Sequence, residues 1–318
     1  MMKKCHKILQ VNGYINYKLT EVFSIDATHA SLTQLYDVHN NCWSEELFEA
    51  IGGDTKIMPD IYDCMDVIGH VSKKAAEETG LSTKTVVLGG AVDASAAALE
   101  VGVYGDGSVA EMIGTSSVVM FGFDGLVTCN ELSYLRGVKE NTTILFGAMN
   151  TAGGSLKWFR DALYGGETPQ NDAYPRINKE IEAGAKDPTG LIFLPYMAGE
   201  RAPIWDPNAR GTFMGLNMNT TRAEMLRAVM EGTSFALQDN LDQAIKTGIP
   251  IRDFICCGGC SKSDIWLKIK ASVIGQEIKI PSVNLGAPGG LGYMNAAFMG
   301  EYKTAEDASR AALQIKKI

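Results

Sequence analysis

Apolar residues along this chain alternate between short continuous runs and longer stretches with helical spacing. Three runs of strand length, Thr85 to Leu88, Ser108 to Ile113 and Phe254 to Cys257, end in small residues: Gly89-Gly90, Gly114-Thr115-Ser116 and Gly258-Gly259. A helix-like segment follows each of them. Before the first run, Ile8, Leu9, Val11, Ile15 and Leu19 predict a helix over residues 8–20. Trp43 to Ile51 predicts another, with Ser44 as N-cap and Leu47, Phe48 and Ile51 on its apolar side. Ser72 to Thr79 predicts a third, stopped by Gly80. The alanine-rich segment 94–99 predicts a helix suited to close packing.

Beyond the glycine-rich stretch Gly102 to Asp106, read as a domain boundary, Ser117 to Phe121 predicts a second strand. Gly122 to Gly125 predicts a turn, from which Leu126 to Cys129 pairs back antiparallel. Ser155 to Leu163 predicts a helix with Leu156, Phe159 and Leu163 on one side, and Leu191 to Leu194 a strand leading into a polar loop over 199–210. Thr221 and Glu224 form a capping-box pattern before a stripe of Leu226, Val229, Met230, Phe235, Ala236 and Leu237. Ser263 to Val273 predicts a helix with Ile265, Ile269 and Val273 on one face, Glu277 to Ile280 a strand, and Gly289 to Met299 a helix. The recurring order of strand, small-residue turn and helix indicates an α/β architecture.

Composition narrows the partners. A net charge of −8 over 318 residues argues against a nucleic-acid footprint, which needs a basic face. No run approaches the ~20 apolar residues of a membrane span, and polar residues interrupt the basic start, so no signal peptide is expected. Seven cysteines are too sparse for a disulfide framework, and a reducing cytoplasm is the expected location. Cys257 and Cys260 form a C-x-x-C beside Cys256. That spacing suits a redox pair or half a zinc site. With only four histidines and no nearby partners, a tightly packed strand end is the favoured reading.

The candidate chemistry is anion binding beside an acid. Glycine turns at strand ends let backbone amides approach phosphate oxygens, and the Thr115 hydroxyl adds a donor. Gly258-Gly259 leaves room for a flat base, with Ser263 able to bond its edge. Asp93, directly after the first turn, is placed either to cap the helix beginning at Ala94 or to take a proton from a substrate hydroxyl; one carboxylate can do both. Phosphoryl transfer to a hydroxyl follows from this combination. Neither G-x-x-x-x-G-K-[ST] nor G-x-G-x-x-G is present, which removes the P-loop reading and the main support for Rossmann and protein-kinase readings.

An ordered series of motifs resembles the FGGY carbohydrate kinases, within them the xylulose-kinase-like sugar kinases, over almost the whole chain. GGAVDASAAALEVG (89–102) resembles the segment carrying the family's catalytic base, at Asp93. EMIGTSSVVM (111–120) resembles its phosphate-contacting strand, turn and strand, and GAMNTAGGSLKWF (147–159) the flank of its nucleotide cleft. LPYMAGERAPIWDPNARGTFMGL (194–216) is similar to its long loop, AEMLRAVMEG (223–232) closes its C-terminal signature, and CGGCSKSDIWLKIKASVIG (257–275) resembles its adenine-binding loop and helix.

The resemblance implies an actin/hexokinase-like (ribonuclease H-like) architecture of two α/β domains, with ATP and sugar meeting between them. Residues 1–103 would be the C-terminal part of the first domain, on the sugar side, and 104–318 the second, on the nucleotide side. It implies ATP with Mg²⁺, and transfer to a ketopentose or related sugar, xylulose foremost. Asp93 would be the base; Gly114 and Thr115 would serve the phosphates, Gly154 would bind the cofactor from the segment flanking the nucleotide cleft, and Gly258, Gly259 and Ser263 would contact the adenosine. No residue is assigned to a metal. The family's opening D-x-G-T turn has no counterpart here, since IDATHAS (25–31) lacks the turn glycine, and Ile318 precedes the family's closing helical segment. The expectation is therefore a first domain incomplete at its front and a slight shortening at the C-terminus. A homodimer, or a separately encoded N-terminal fragment, would complete such a chain. The alternatives are a nucleotide-binding fragment without turnover and a scaffold that uses the fold without ligand.

Overall fold

The computed structural model describes residues 5–163 and 170–317. Seven strands form the main sheet, in the spatial order Ile315–Lys317, Ile278–Pro281, Asp253–Gly258, Ser108–Ile113, Ser117–Asp124, Thr142–Met149 and Ser133–Arg136. Two of the three predicted runs are its central strands. They lie parallel, with Phe254 opposite Val109 and Gly258 opposite Ile113, so the small-residue turns that follow them emerge side by side. The third run, Val86–Leu88, lies outside this sheet and pairs antiparallel with Val67–His70.

Strand alternation sends successive side chains to opposite faces. Val109, Phe121, Leu145 and Phe254 face one way and form a core with Leu156, Phe159, Ile177, Leu226, Leu237 and Trp266 from four covering helices. Ala110, Met120, Ile144 and Ile255 face the other way, against Val92, Ala98 and Val101. Phe121, Phe159 and Phe254 are essentially inaccessible, each worth about 1.5–3 kcal/mol in burial.

The helices of the first face are Gly153–Leu163, Gln170–Gly184, Arg222–Lys246 and Asp264–Ile274. The long one starts with the predicted capping box: Thr221 Oγ1 accepts from the Glu224 amide, and the Glu224 carboxylate accepts from the Thr221 amide. On the second face, Asp93–Glu100 packs against Ala287–Phe298. There a Cβ on Gly290 would lie 1.9 Å from the Ala96 carbonyl oxygen, so the absence of a side chain sets the helix spacing. The earlier helices form as Val11–Thr20, Glu45–Ala50 capped by Ser44, and Lys73–Thr79 ended by left-handed Gly80.

Three local readings change. The expected turn at Gly122 to Gly125 is largely strand: Ser117–Asp124 runs on, and its antiparallel partner is Thr142–Met149, with Asp124 opposite Thr142, rather than residues 126–129. Gly122 is required by packing, because a Cβ there would lie 2.6 Å from Ser108 Oγ and 2.7 Å from the Gly105 carbonyl oxygen. The loop after Ile192–Leu194 returns as Thr212–Met214 to pair with it. Helix Gln170–Gly184 was not predicted; Ala173, Ile177 and Ile181 bury its inner side, and Pro175 lies within it. No helix among the described residues is long and apolar enough to cross a membrane.

Candidate functional site

The parallel register of the two central strands brings their turns together at one pocket of about 450 Å³, lined by Gly114, Thr115, Gly153, Leu156, Lys157, Tyr174, Pro175, Asn178, Gly259, Cys260, Lys262, Ser263 and Trp266. That volume falls in the usual range for small-molecule sites, ~300–1,000 Å³. Four of the six predicted binding residues, Gly114, Thr115, Gly259 and Ser263, line it directly. Gly154 and Gly258 stand immediately behind it in the chain.

Each glycine has a distinct local duty. A Cβ on Gly153 would fall 2.3 Å from the Gly114 carbonyl oxygen, and one on Gly154 2.9 Å from that of Thr115. The start of helix Gly153–Leu163 is thereby pressed onto the 114–116 turn. The Ala152 and Gly154 amides both donate to the Thr115 carbonyl at 2.9 Å. The Gly114 amide donates to the Ser116 carbonyl at 2.8 Å, so this amide holds the turn rather than pointing at an anion. Gly258 has φ +97°, with a would-be Cβ 2.2 Å from the Ile113 carbonyl oxygen, whereas Gly259 has open space within 4 Å.

Ser263 has two structural bonds. Its hydroxyl donates to Asn178 Oδ1 at 3.0 Å and accepts from the Trp266 amide at 3.4 Å, as N-cap of helix Asp264–Ile274. It therefore clasps that helix to Gln170–Gly184 across the pocket. On the far wall, Arg160 Nη1 donates to the Tyr174 hydroxyl at 3.0 Å, with the guanidinium 5.1 Å from the ring centroid.

Lys157, Tyr174, Pro175, Asn178, Lys262 and Trp266 were not singled out from the sequence. Lys157 and Lys262 neighbour predicted residues and are exposed at the rim, where ammonium groups suit phosphate oxygens. Trp266 is the third residue after its helix cap and reads as a core aromatic.

These residues fit a nucleotide. Leu156, Tyr174, Pro175 and Trp266 offer apolar surface to a base, Gly259 leaves space, and the buried Trp266 Nε1 has no hydrogen-bond partner among the described residues. No group of three or more His, Cys, Asp or Glu converges among the described residues.

Asp93 lies apart from this lining. It is exposed, and it is the first residue of its helix rather than the cap: Val92 is the N-cap residue, and Asp93 Oδ1 accepts only from the adjacent Ala94 amide, at 2.7 Å. The capping role is thereby removed, and the carboxylate stands at the head of the helix facing solvent.

The cysteines do not assemble a redox or metal site. Cys257 belongs to the core of one sheet face, and Cys256 and Cys260 to the other. Burial pushes the Cys257 and Cys260 thiols up to about 12, with Lys270 opposing the shift at Cys260. Beneath the pocket, buried Lys270 pairs with buried Glu111, whose Oε1 accepts from Ser117 Oγ at 2.9 Å. Burial disfavours the Lys270 ammonium, and the adjoining Glu111 carboxylate more than offsets this, holding it above the usual lysine range.

The family model for the FGGY family of carbohydrate kinases, C-terminal domain, matches residues 109–301, and that for the N-terminal domain matches residues 1–100. The second match, starting at the first residue, replaces the expectation of a first domain cut short at its front and of an incomplete first-domain fold. A xylulose kinase from Staphylococcus epidermidis is 29% identical over 311 residues, 96% of this chain and 61% of that protein. A gluconokinase from Bacillus licheniformis is 27% identical over 297 residues, 87% of this chain and 56% of that one. The crystal structure of ligand-bound xylulose kinase from Lactobacillus acidophilus superposes with a TM-score of 0.89 at 26% identity, covering 98% of this chain and 63% of that one. The chain thus spans about three fifths of the length of these relatives.

Proposed function

This chain belongs to the FGGY family of carbohydrate kinases, and on that premise we propose that it transfers the γ-phosphoryl group of ATP to a hydroxyl of a small sugar. The observation that carries this reading is the single pocket in which the Gly114-Thr115 turn, the Gly153 helix start and the Gly259–Ser263 loop meet. Thr115 and the Gly154 helix start lie on the phosphate side, with Lys157 and Lys262 at the rim. Gly258, Gly259 and Ser263, backed by Trp266, hold the adenosine end. Residues 1–103 form the sugar side and 104–318 the nucleotide side. Asp93 takes the proton of the acceptor hydroxyl as its oxygen bonds the γ-phosphorus; the bond to the bridging oxygen breaks and ADP leaves. Mg²⁺, when present with the nucleotide, would supply neutralisation of the phosphate charge.

Xylulose, or another ketopentose, is the first substrate to test, because xylulose kinases recur among the relatives; gluconate and glycerol follow from the gluconokinase and glycerol kinase relatives. ADP release measured over D-xylulose, D-ribulose, gluconate and glycerol is expected to rise most with xylulose. A second reading, nucleotide binding without turnover, is favoured by the pocket lining, which comes entirely from positions 114 to 266. ADP binding by calorimetry with no turnover on any acceptor would select it. Absence of both would overturn each reading.

A further inference from the structure

Strand Ser24–Asp26 ends in a carboxylate that is wholly buried, and a buried carboxylate requires donors. Asp26 Oδ1 accepts from the Thr28 amide at 3.1 Å, the His29 amide at 3.0 Å and the Thr28 hydroxyl; Oδ2 accepts from Asn12 Nδ2 at 3.0 Å and lies 2.5 Å from His29 Nδ1. Most of these bonds serve the local turn. The Thr28 hydroxyl reaches further. With its proton held on Asp26, its oxygen accepts from the Val92 amide at 2.7 Å, a contact 64 residues away along the chain. Thr28 is itself fully buried.

Val92 is the cap residue of helix Asp93–Glu100 and has no polar side chain with which to cap it. The segment around it is fastened on both sides. The Gly89 and Gly90 amides donate to the Asp66 and Cys64 carbonyls at 2.9 and 3.0 Å, and Ser95 Oγ donates to the Arg136 carbonyl at 2.8 Å. Among the described residues, the Thr28 bond is the fastening nearest Asp93, and the one that leads to a buried carboxylate.

We propose that Asp26 and Thr28 are positioning residues for Asp93, holding the head of its helix through the Val92 amide; this rests on the reading of Asp93 as the base. The segment IDATHAS therefore acts on the reacting carboxylate through the backbone. Small displacements of a positioned group cost large factors in rate, about 100-fold for 1 Å.

The test uses the full chain and three variants. Thr28→Val keeps shape and removes the hydroxyl, Thr28→Ser keeps the hydroxyl, and Ser309→Ala removes a buried bond (Ser309 Oγ to the Leu99 carbonyl, 2.6 Å) at the opposite end of the same helix. Thr28→Val is expected to lower kcat about 10- to 100-fold with KM for ATP unchanged. Thr28→Ser restores kcat, and Ser309→Ala lowers the melting temperature without lowering kcat. In parallel, amide exchange at Val92 is expected to quicken about tenfold in Thr28→Val and not in Thr28→Ser. Wild-type kcat in Thr28→Val, or an equal loss in Ser309→Ala, overturns the proposal. If the wild-type chain turns over no acceptor, the base reading falls, and exchange at Val92 alone decides the tether: unchanged exchange in Thr28→Val overturns it, and quickened exchange reversed by Ser upholds it.

Discussion

Gly258 and Gly259 look alike in the sequence, and the structure assigns them opposite sensitivities to one added methyl group. Gly258 combines φ +97° and ψ −163° with a Cβ position 2.2 Å from the Ile113 carbonyl oxygen and 3.0 Å from its carbon. The backbone region alone costs a non-glycine residue about 1–3 kcal/mol. The overlap is with backbone paired in the central ladder, and overpacking of this kind adds about 1–3 kcal/mol. A central value of about 4 kcal/mol lowers the melting temperature of a domain this size by about 8–16 °C. Gly259 has ordinary φ and nothing within 4 Å of its Cβ position, so Gly259→Ala should change stability by no more than about 0.5 kcal/mol. Its methyl, however, enters the pocket, and about 1–3 kcal/mol of crowding against a bound base weakens ADP binding about 5- to 150-fold. Thermal unfolding by circular dichroism and ADP titration by calorimetry separate the two. Gly258→Ala with an unchanged melting temperature would refute the close approach of the central strands. Gly259→Ala with unchanged ADP affinity would refute the assignment of this pocket to the nucleotide.

Asp93→Asn removes the proposed base with almost no change of shape; kcat should fall about 10²- to 10⁴-fold with ADP affinity unchanged, and an unaffected kcat would remove Asp93 from the chemistry. Lys270→Met leaves the Glu111 carboxylate buried without its cation and should cost about 3–5 kcal/mol in urea unfolding. The double variant Lys270→Met with Glu111→Leu should recover most of that loss, and a double variant as unstable as the single would refute the coupling. Burial raises the Glu200 carboxyl above its ordinary value, against the lowering by the Asn150 and Arg201 amides that donate to it at 2.8 and 2.7 Å. The native state therefore binds this proton more tightly than the unfolded chain, and the resulting stability is full below the unfolded value and lost as pH rises through the native one. Glu200→Gln should accordingly gain on the wild type as pH rises above about 4; a difference in urea-unfolding stability that stays constant with pH would refute the shift.

What could be read in the sequence was the local part of this molecule. Glycine turns after apolar runs marked three strand ends correctly, two of them on the central strands, and Thr221 with Glu224 fixed the start of the longest helix. That the two turns share one pocket depends on the pairing of Ile113 with Gly258, which no local pattern encodes. The same glycine logic failed at Gly122, a residue inside a strand, because a glycine needed for close packing looks identical to one needed for a turn. Helix Gln170–Gly184 was hidden by Pro175, and with it went Tyr174 and Asn178 of the pocket wall.

Asp93 shows the same limit from the other side. An acid before an alanine-rich helix is a natural cap, yet the helix begins at Asp93 itself, and the Val92 amide is satisfied by Thr28 from another part of the chain. The Val92 amide is held by a distant hydroxyl, and the exposed Asp93 carboxylate, bonded to the Ala94 amide alone, keeps acceptor capacity for a substrate hydroxyl. The C-x-x-C follows from alternation: adjacent Cys256 and Cys257 lie on opposite faces of one strand, and Cys260 returns to the face of Cys256. Cys257 and Cys260 therefore belong to separate cores, and a spacing that suggests convergence in sequence is divided by the sheet itself.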